Sequence, residues 1–236
     1  MRNSPKKRMD GMIDDYKVIE VKRSIFEDND ADADRLREEL RAERTFLLNL
    51  MSSPGAGKTT TLKRTIANLK DEMNIGVMEA DIDSDVDAAS IVEAGARAIQ
   101  IHTGGMCHLD ADMTRQGLKE FGTSDLDFVV LENVGNLVCP AEFDTGATKN
   151  AMILSVPEGD DKPLKYPLMF SVCDVVLINK CDALPVFQEF DKEAVEQRIK
   201  ELNPNAEIFF VSAKTGEGFD QWINWVRTQV AEYQGK

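Results

Sequence analysis

No apolar run in this sequence of 236 residues approaches the roughly 20 needed to cross a bilayer, so no membrane-spanning helix is expected. The opening MRNSPKKRMDGMIDDYK starts basic, but no hydrophobic stretch follows it, and a secretory signal is not expected there. The cytoplasm is the expected location. Positive charge is in the minority: 28 Lys and Arg stand against 42 Asp and Glu, a formal charge of -14 that would repel a phosphodiester backbone or an anionic membrane. Neither nucleic acid nor membrane is an expected partner. Cysteine is sparse. Cys107, Cys139, Cys173 and Cys181 do not fall at the short spacings of a disulfide framework, and a chain of this size does not need such staples. They read as reduced thiols, either buried or bound to metal. Internal repeats are absent, and the longest biased tract is the acidic EDNDADAD at 27–34.

What remains is ordinary globular usage, with 42% apolar and 30% charged residues, enough for one large α/β domain or a medium domain with an appendage. Residues 1–44 differ in texture from the rest and are expected to form a partly helical N-terminal appendage. In it Asp32 or Asp34 is the expected cap of a surface helix through LREELRAER, with Leu36 and Leu40 on one face. Residues 45–236 are expected to form the main domain. Short, nearly continuous apolar runs recur at 45–51, 75–80, 97–102, 127–132, 150–156, 174–179 and 207–212, each suiting a strand buried on both faces. Helical patterns such as TTTLKRTIANLKDE and FDQWINWVRTQVAEY lie between most of them. The alternation predicts a doubly wound, mainly parallel sheet of about seven strands flanked by helices.

Between the first strand and its helix stands Ser52-Ser53-Pro54-Gly55-Ala56-Gly57-Lys58-Thr59, a fit to G-x-x-x-x-G-K-[ST] with Ser52 at the first glycine position. Gly55 and Gly57 permit the positive φ that turns backbone N–H groups onto phosphate oxygens, and the following helix presents its positive end to the same anion. Lys58 would neutralise the β- and γ-phosphates and the Thr59 hydroxyl would ligate Mg²⁺. Ser53, Gly55, Ala56, Gly57, Lys58, Thr59 and Thr60 are the expected phosphate-side residues. Farther on, Asn179-Lys180-Cys181-Asp182 closes a strand in the N-K-x-D pattern, where a carboxylate accepts from the guanine donor edge that adenine lacks. Ser212-Ala213-Lys214 fits the companion loop behind the base. GTP and GDP are therefore the expected nucleotides. D-x-x-G is missing after strand 127–132; Glu132-Asn133-Val134-Gly135 stands there instead, as in the signal-recognition and metal-insertion branch of P-loop GTPases, named SIMIBI, which it resembles. Ser53, in place of a second lysine, disfavours partition-type ATPases.

Two further signals are Cys107-His108 just before a helix and Cys139-Pro140 after the E-x-x-G. Thiolate and imidazole suit a borderline-soft ion such as Zn²⁺ or Ni²⁺, and these ligands are too few for a closed tetrahedral site unless two chains share it. Cys173 and Cys181 read as packing residues.

Through LNLMSSPGAGKTTTL, EAD at 79–81, IHTGG, CHLDADM, ENVGNLVCPAEFD and INKCDAL the chain resembles the hydrogenase nickel-incorporation GTPases, the HypB family. The resemblance implies a Mg²⁺-dependent GTPase that dimerises when GTP-bound and holds Ni²⁺ or Zn²⁺ at the dimer interface through Cys107, His108 and Cys139. It also implies that nickel is delivered to the hydrogenase large subunit with a HypA-type metallochaperone. It assigns Asp81 the positioning of the attacking water or of a Mg²⁺-bound water, with Asp83 and Asp85 as rivals, and Glu132 the sensing of γ-phosphate and Mg²⁺. The chain departs from the family's pattern where many relatives carry a second histidine and it has Asp112. Residues 1–100 hold neither Cys nor His, which leaves no N-terminal nickel-storage motif. A urease-maturation relative would be expected to show Cys-Pro-His, but Ala141 follows Cys139-Pro140. A nucleotide-gated metal buffer is the remaining competing reading.

Overall fold

The computed structural model of the chain describes residues 16–20, 29–81 and 86–236. In chain order it runs β1 (Tyr16–Glu20), α1 (Asn29–Glu43), β2 (Phe46–Ser52), α2 (Lys58–Leu69), β3 (Ile75–Asp81), α3 (Val86–Ala94), β4 (Arg97–His102) and α4 (Ala111–Phe121). There follow β5 (Phe128–Glu132), α5 (Cys139–Glu142), β6 (Lys149–Ser155), α6 (Lys162–Lys165), α7 (Pro167–Ser171), β7 (Val175–Asn179), α8 (Lys192–Leu202), β8 (Glu207–Phe210) and α9 (Phe219–Gln234). The strands form one sheet in the order β1-β4-β3-β5-β2-β6-β7-β8, and every neighbouring pair is parallel.

Parallel neighbours need crossover connections, and the helices supply them. They also cover both faces, which is why β2, β5 and β7 are buried along their whole length. Alternation along β2 sends Leu48 and Leu50 into a core shared with α2 and α9, including Ile66, Trp222 and Val226. Leu47 and Met51 face the opposite layer: Leu47 meets Leu36 and Leu40 of α1, and Met51 meets the core beneath α7 and α8. From β2 the chain moves to one side through β3, β4 and β5, then to the other through β6, β7 and β8. The crevice outside the carboxyl ends of strands at such a reversal is where open α/β sheets take ligands.

Seven of the strands lie where the apolar runs predict them. The eighth, β1, falls within residues 1–44, which the sequence assigns to a partly helical appendage. Its five residues pair in register with β4, from Tyr16 opposite Ala98 to Glu20 opposite His102, and extend the sheet edge. So short a run carries too little periodicity to announce a strand. Helix α1 corrects a second expectation: it begins at Asn29, so Asp32 and Asp34 lie inside it and cap nothing. Asp32 instead pairs with Arg35 and, at 2.9 Å, with Arg115 of α4, while Asp34 pairs with Arg37 at 3.0 Å. Leu36 and Leu40 are buried as their spacing predicts, each stabilising the packing of α1 by about 2 kcal/mol. Among the described residues no helix is long and apolar enough to cross a membrane.

Candidate functional site

The loop from β2 to α2 sits at the sheet reversal. Gly55 and Gly57 have φ of 76° and 104°, and Gly57 immediately precedes α2 without any side-chain cap, leaving the first N–H groups of the helix facing the loop. Ser52, in the position of the missing glycine, is fully buried; its hydroxyl donates to the Ser53 carbonyl at 2.7 Å and accepts from Lys58 Nζ at 3.1 Å. The serine thus gives the lysine a neutral partner inside the loop. The Ser53 hydroxyl donates to the Glu158 carboxylate.

The other two nucleotide motifs converge on this loop through Asn179. Its amide nitrogen donates to the Ala56 carbonyl at 2.9 Å, and its oxygen accepts from Ala213 N at 3.0 Å. That approach requires glycine at 57, where a Cβ would stand 2.5 Å from Asn179 Nδ2. Lys180, itself at φ 61°, reaches back to the Gly55 carbonyl at 2.7 Å. Ser212 donates to Asp182 Oδ1 at 2.7 Å and aims that carboxylate. Arg64 of α2 donates to the carbonyls of Ala213 and Lys214 at 2.6 and 2.8 Å, tying the last loop to the phosphate side. Sequence reading did not single out Arg64, and nothing in its helical context marks it.

A cleft of about 400 Å³ opens beside Lys58, Thr59 and Thr60 and is lined across the sheet by Glu79 and Glu132. These two acids are direct register partners on β3 and β5 and are 3% and 7% exposed. Carboxylate and hydroxyl oxygens are the ligands a hard divalent cation takes. With Thr59 on the same cleft, the donor set fits Mg²⁺. Glu79 was not singled out as a site residue; its signal is an acid inside the apolar run IGVMEA. Asp81 closes β3, opposite His102 in register. Asp83 and Asp85 lie outside the described residues.

Cys107 and His108 lie in the loop between β4 and α4, and Cys139 is the first residue of α5. Their donor atoms all fall within 4.8 Å of one another. The two sulfurs are 2.7 Å apart, and Cys107 Sγ is 3.8 Å from His108 Nδ1. The hydrogen bond with Cys107 pushes the Cys139 thiol above its ordinary range, with burial and the charge of Glu142 adding to it. Asn136 Nδ2 lies 3.5 Å from Cys139 Sγ, and Phe143 stacks on the His108 ring at 3.7 Å and 12°. Neither was found from sequence. Asp112 is not in the cluster; its carboxylate accepts from Gln116 at 2.5 Å, one helical turn on. Cys173 is buried against the Met169 carbonyl, and Cys181 is buried under the base-side loop. Burial, then Glu217 and Asp182, push the Cys181 thiol up to about 11, and among the described residues it lies outside the Cys107–His108–Cys139 cluster.

The profile of the CobW/HypB/UreG nucleotide-binding domain matches residues 46–210. HypB, the hydrogenase maturation factor of Escherichia coli K12, is 45% identical over 213 residues, which cover 90% of this chain and 73% of that one. The chain belongs to the HypB family. Two HypB crystal structures share its fold. The protein from Helicobacter pylori, in complex with nickel, superposes with a TM-score of 0.81 at 41% identity, over 87% of this chain and 96% of that one. The one from Archaeoglobus fulgidus gives 0.79 at 40% identity, over 86% and 98%.

Proposed function

We propose that this HypB-family chain is a GTP-hydrolysing nickel-delivery factor that assists nickel insertion during hydrogenase maturation in the cytoplasm. The observation that carries the reading is the cluster of Cys107, His108 and Cys139, drawn from two loops to within 4.8 Å, with Cys139 joined to the E-x-x-G segment by a few residues. Soft thiolates with an imidazole are a donor set for Ni²⁺ or Zn²⁺. One chain supplies too few ligands to close a tetrahedral site. A second copy supplies the rest, so the working state is a homodimer formed with GTP bound. The cargo is received from a HypA-type metallochaperone and passed to the hydrogenase large subunit.

GTP is held by its phosphates on Ser53, Gly55, Ala56, Gly57, Lys58, Thr59 and Thr60. Its base is held by Asn179, Lys180 and Asp182, with Ser212, Ala213 and Lys214 behind the ring. Lys58 leaves Ser52 for the phosphates, since a phosphate oxygen is the stronger acceptor for an ammonium. Thr59 and Glu132, joined by Glu79, hold Mg²⁺ directly or through water, and Asp81 positions the attacking water. When bound there, Mg²⁺ would offset the negative charge of the phosphates. Hydrolysis then loosens the loop that carries Cys139 and frees the metal for transfer.

Mass measurement and metal analysis of the purified chain, with and without a non-hydrolysable GTP analogue, test this directly. A dimer that carries nickel or zinc only with the analogue is expected, and Cys139→Ala is expected to lose the metal. Unchanged stoichiometry and affinity in GTP-loaded Cys139→Ala would overturn the reading.

A further inference from the structure

The two loops that carry the metal cluster are joined by a third element, the N-terminal helix α1. Asn29, its first residue, uses both ends of its side chain. The oxygen accepts from Ala111 N at 3.0 Å, where α4 begins just beyond Cys107 and His108. The amide nitrogen donates to the Asp144 carbonyl at 3.0 Å, just beyond Cys139 and next to Phe143, which stacks on His108. Two turns along, Arg37 Nη2 donates to both oxygens of the Asp144 carboxylate at 2.6 and 2.7 Å, and Arg37 Nε donates to the Ala147 carbonyl at 3.0 Å. The helix packs directly on the turn between them: a Cβ on Gly146 would meet Leu36 Cδ2 at 2.8 Å. On the other side Asp32 pairs with Arg115 of α4.

We infer that α1 is a clamp that sets the distance between the Cys107-His108 loop and the Cys139 loop, with Asn29 as its positioning residue. The inference rests on the reading of Cys107, His108 and Cys139 as nickel ligands. Asn29 touches no ligand atom. It fixes an N–H at the start of α4 that no intrahelical carbonyl satisfies, together with a loop carbonyl, and so ties both halves of the cluster to one side chain. Arg37, whose guanidinium bonds the Asp144 carboxylate and the Ala147 carbonyl at once, adds geometric restraint at the same loop. Ligands held at their binding separation lose less freedom on taking up the ion, so a loosened clamp weakens metal binding by the fraction of time the loops are apart. The phosphate and base loops make none of these contacts, and their affinity should not change.

The test uses the full chain loaded with a non-hydrolysable GTP analogue and Ni²⁺ titrated against thiolate-to-nickel absorption, with GDP affinity measured on separate samples of each variant. Asn29→Ala is expected to weaken Ni²⁺ binding about tenfold, within the range for residues that orient metal ligands, with GDP affinity unchanged. Asn29→Asp keeps the acceptor for Ala111 N but places a carboxylate against the Asp144 carbonyl, and should fall as far. Arg37→Lys keeps the charge but has no second nitrogen to hold the Ala147 carbonyl alongside Asp144, and should lose less than Arg37→Ala. Cys139→Ala separates the two readings. If it binds nickel as the parent does, the metal assignment fails; if it loses nickel while Asn29→Ala retains parental affinity, the clamp alone fails. A fall in nickel and GDP affinity by the same factor would make α1 a support of the whole domain and would also overturn the clamp.

Discussion

Asn179→Ala removes a side chain that touches both the phosphate loop and the base-side loop. Its amide is 2% exposed and bonds the Ala56 carbonyl at 2.9 Å and Ala213 N at 3.0 Å. Truncation leaves a buried acceptor and a buried donor without their partner, at about 1–3 kcal/mol each. Water entering the vacated space recovers part of that, so a net of about 2 kcal/mol is expected to fall on the closed arrangement of the loops. Nucleotide must restore this arrangement when it binds, which corresponds to roughly 30-fold weaker GDP binding. Asn179→Asp refines the argument. It keeps an acceptor for Ala213 N but turns a carboxylate oxygen on the Ala56 carbonyl, two acceptors face to face, and should bind at least as poorly as the alanine variant. Competition against a fluorescent GDP analogue reads the affinity, and thermal melting without nucleotide reads the loop strain. If both variants bind GDP within about threefold of the parent and melt at the parental temperature, Asn179 does not hold the site together and the reasoning fails.

Asp182→Asn should shift preference from guanine toward xanthine nucleotides, because an amide presents a donor where the guanine edge needs an acceptor; paired titrations with GDP and XDP decide it. Lys58→Ala should lower GTP affinity by about 10- to 100-fold through loss of a charge-assisted contact, measured by calorimetry. Glu79→Gln and Glu132→Gln should each lower hydrolysis and its dependence on Mg²⁺, because an amide is a poorer ligand for a hard cation than a carboxylate; a variant that hydrolyses GTP at the parental rate contradicts the Mg²⁺ assignment.

Motifs whose chemistry depends on adjacent residues were legible before any coordinates. Ser52–Thr59 and Asn179–Asp182 encode their geometry locally, and the apolar runs between them mark buried strands because both faces are covered. Contacts across the chain were not legible. Asn29 lies 115 residues from its partner Asp144, and Arg64 lies 149 from Ala213. Glu79 becomes a cleft residue only when β3 pairs with β5 in a register that sets it beside Glu132. Strand β1 was missed for a related reason: a five-residue edge gains its order from β4, not from its own pattern. The caps expected at Asp32 or Asp34 are not seen because the helix already runs from Asn29, which places both residues inside it.

Coupling between the two sites depends on which part of the segment from Glu132 to Cys139 moves. Asn133 is fully buried; its amide donates to Asn49 Oδ1 at 3.1 Å, Asn49 donates to Asn150 at 3.0 Å, and Val134 N is held by Asn133 Oδ1 at 2.9 Å. Displacing Asn133 would strand several buried polar groups, each at about 1–3 kcal/mol, so the start of the segment behaves as part of the sheet. Freedom begins at Gly135, which lies against the phosphate loop: a Cβ there would stand 3.2 Å from Pro54 Cγ and 3.3 Å from Pro54 N. The next residue, Asn136, reaches Cys139 Sγ at 3.5 Å. We propose that a shift of the phosphate loop would be passed by contact from Pro54 to Gly135 and from Asn136 to the thiol, with Glu132 staying in place. Gly135→Ala wedges a methyl group into the contact without touching either ligand set. It should keep nickel affinity and GTP affinity measured separately, yet reduce the factor by which each changes the other, and by linkage that factor must fall equally in both directions. Parental coupling in this variant, read from nickel titrations with GDP and with a non-hydrolysable GTP analogue, would show that the signal bypasses Gly135.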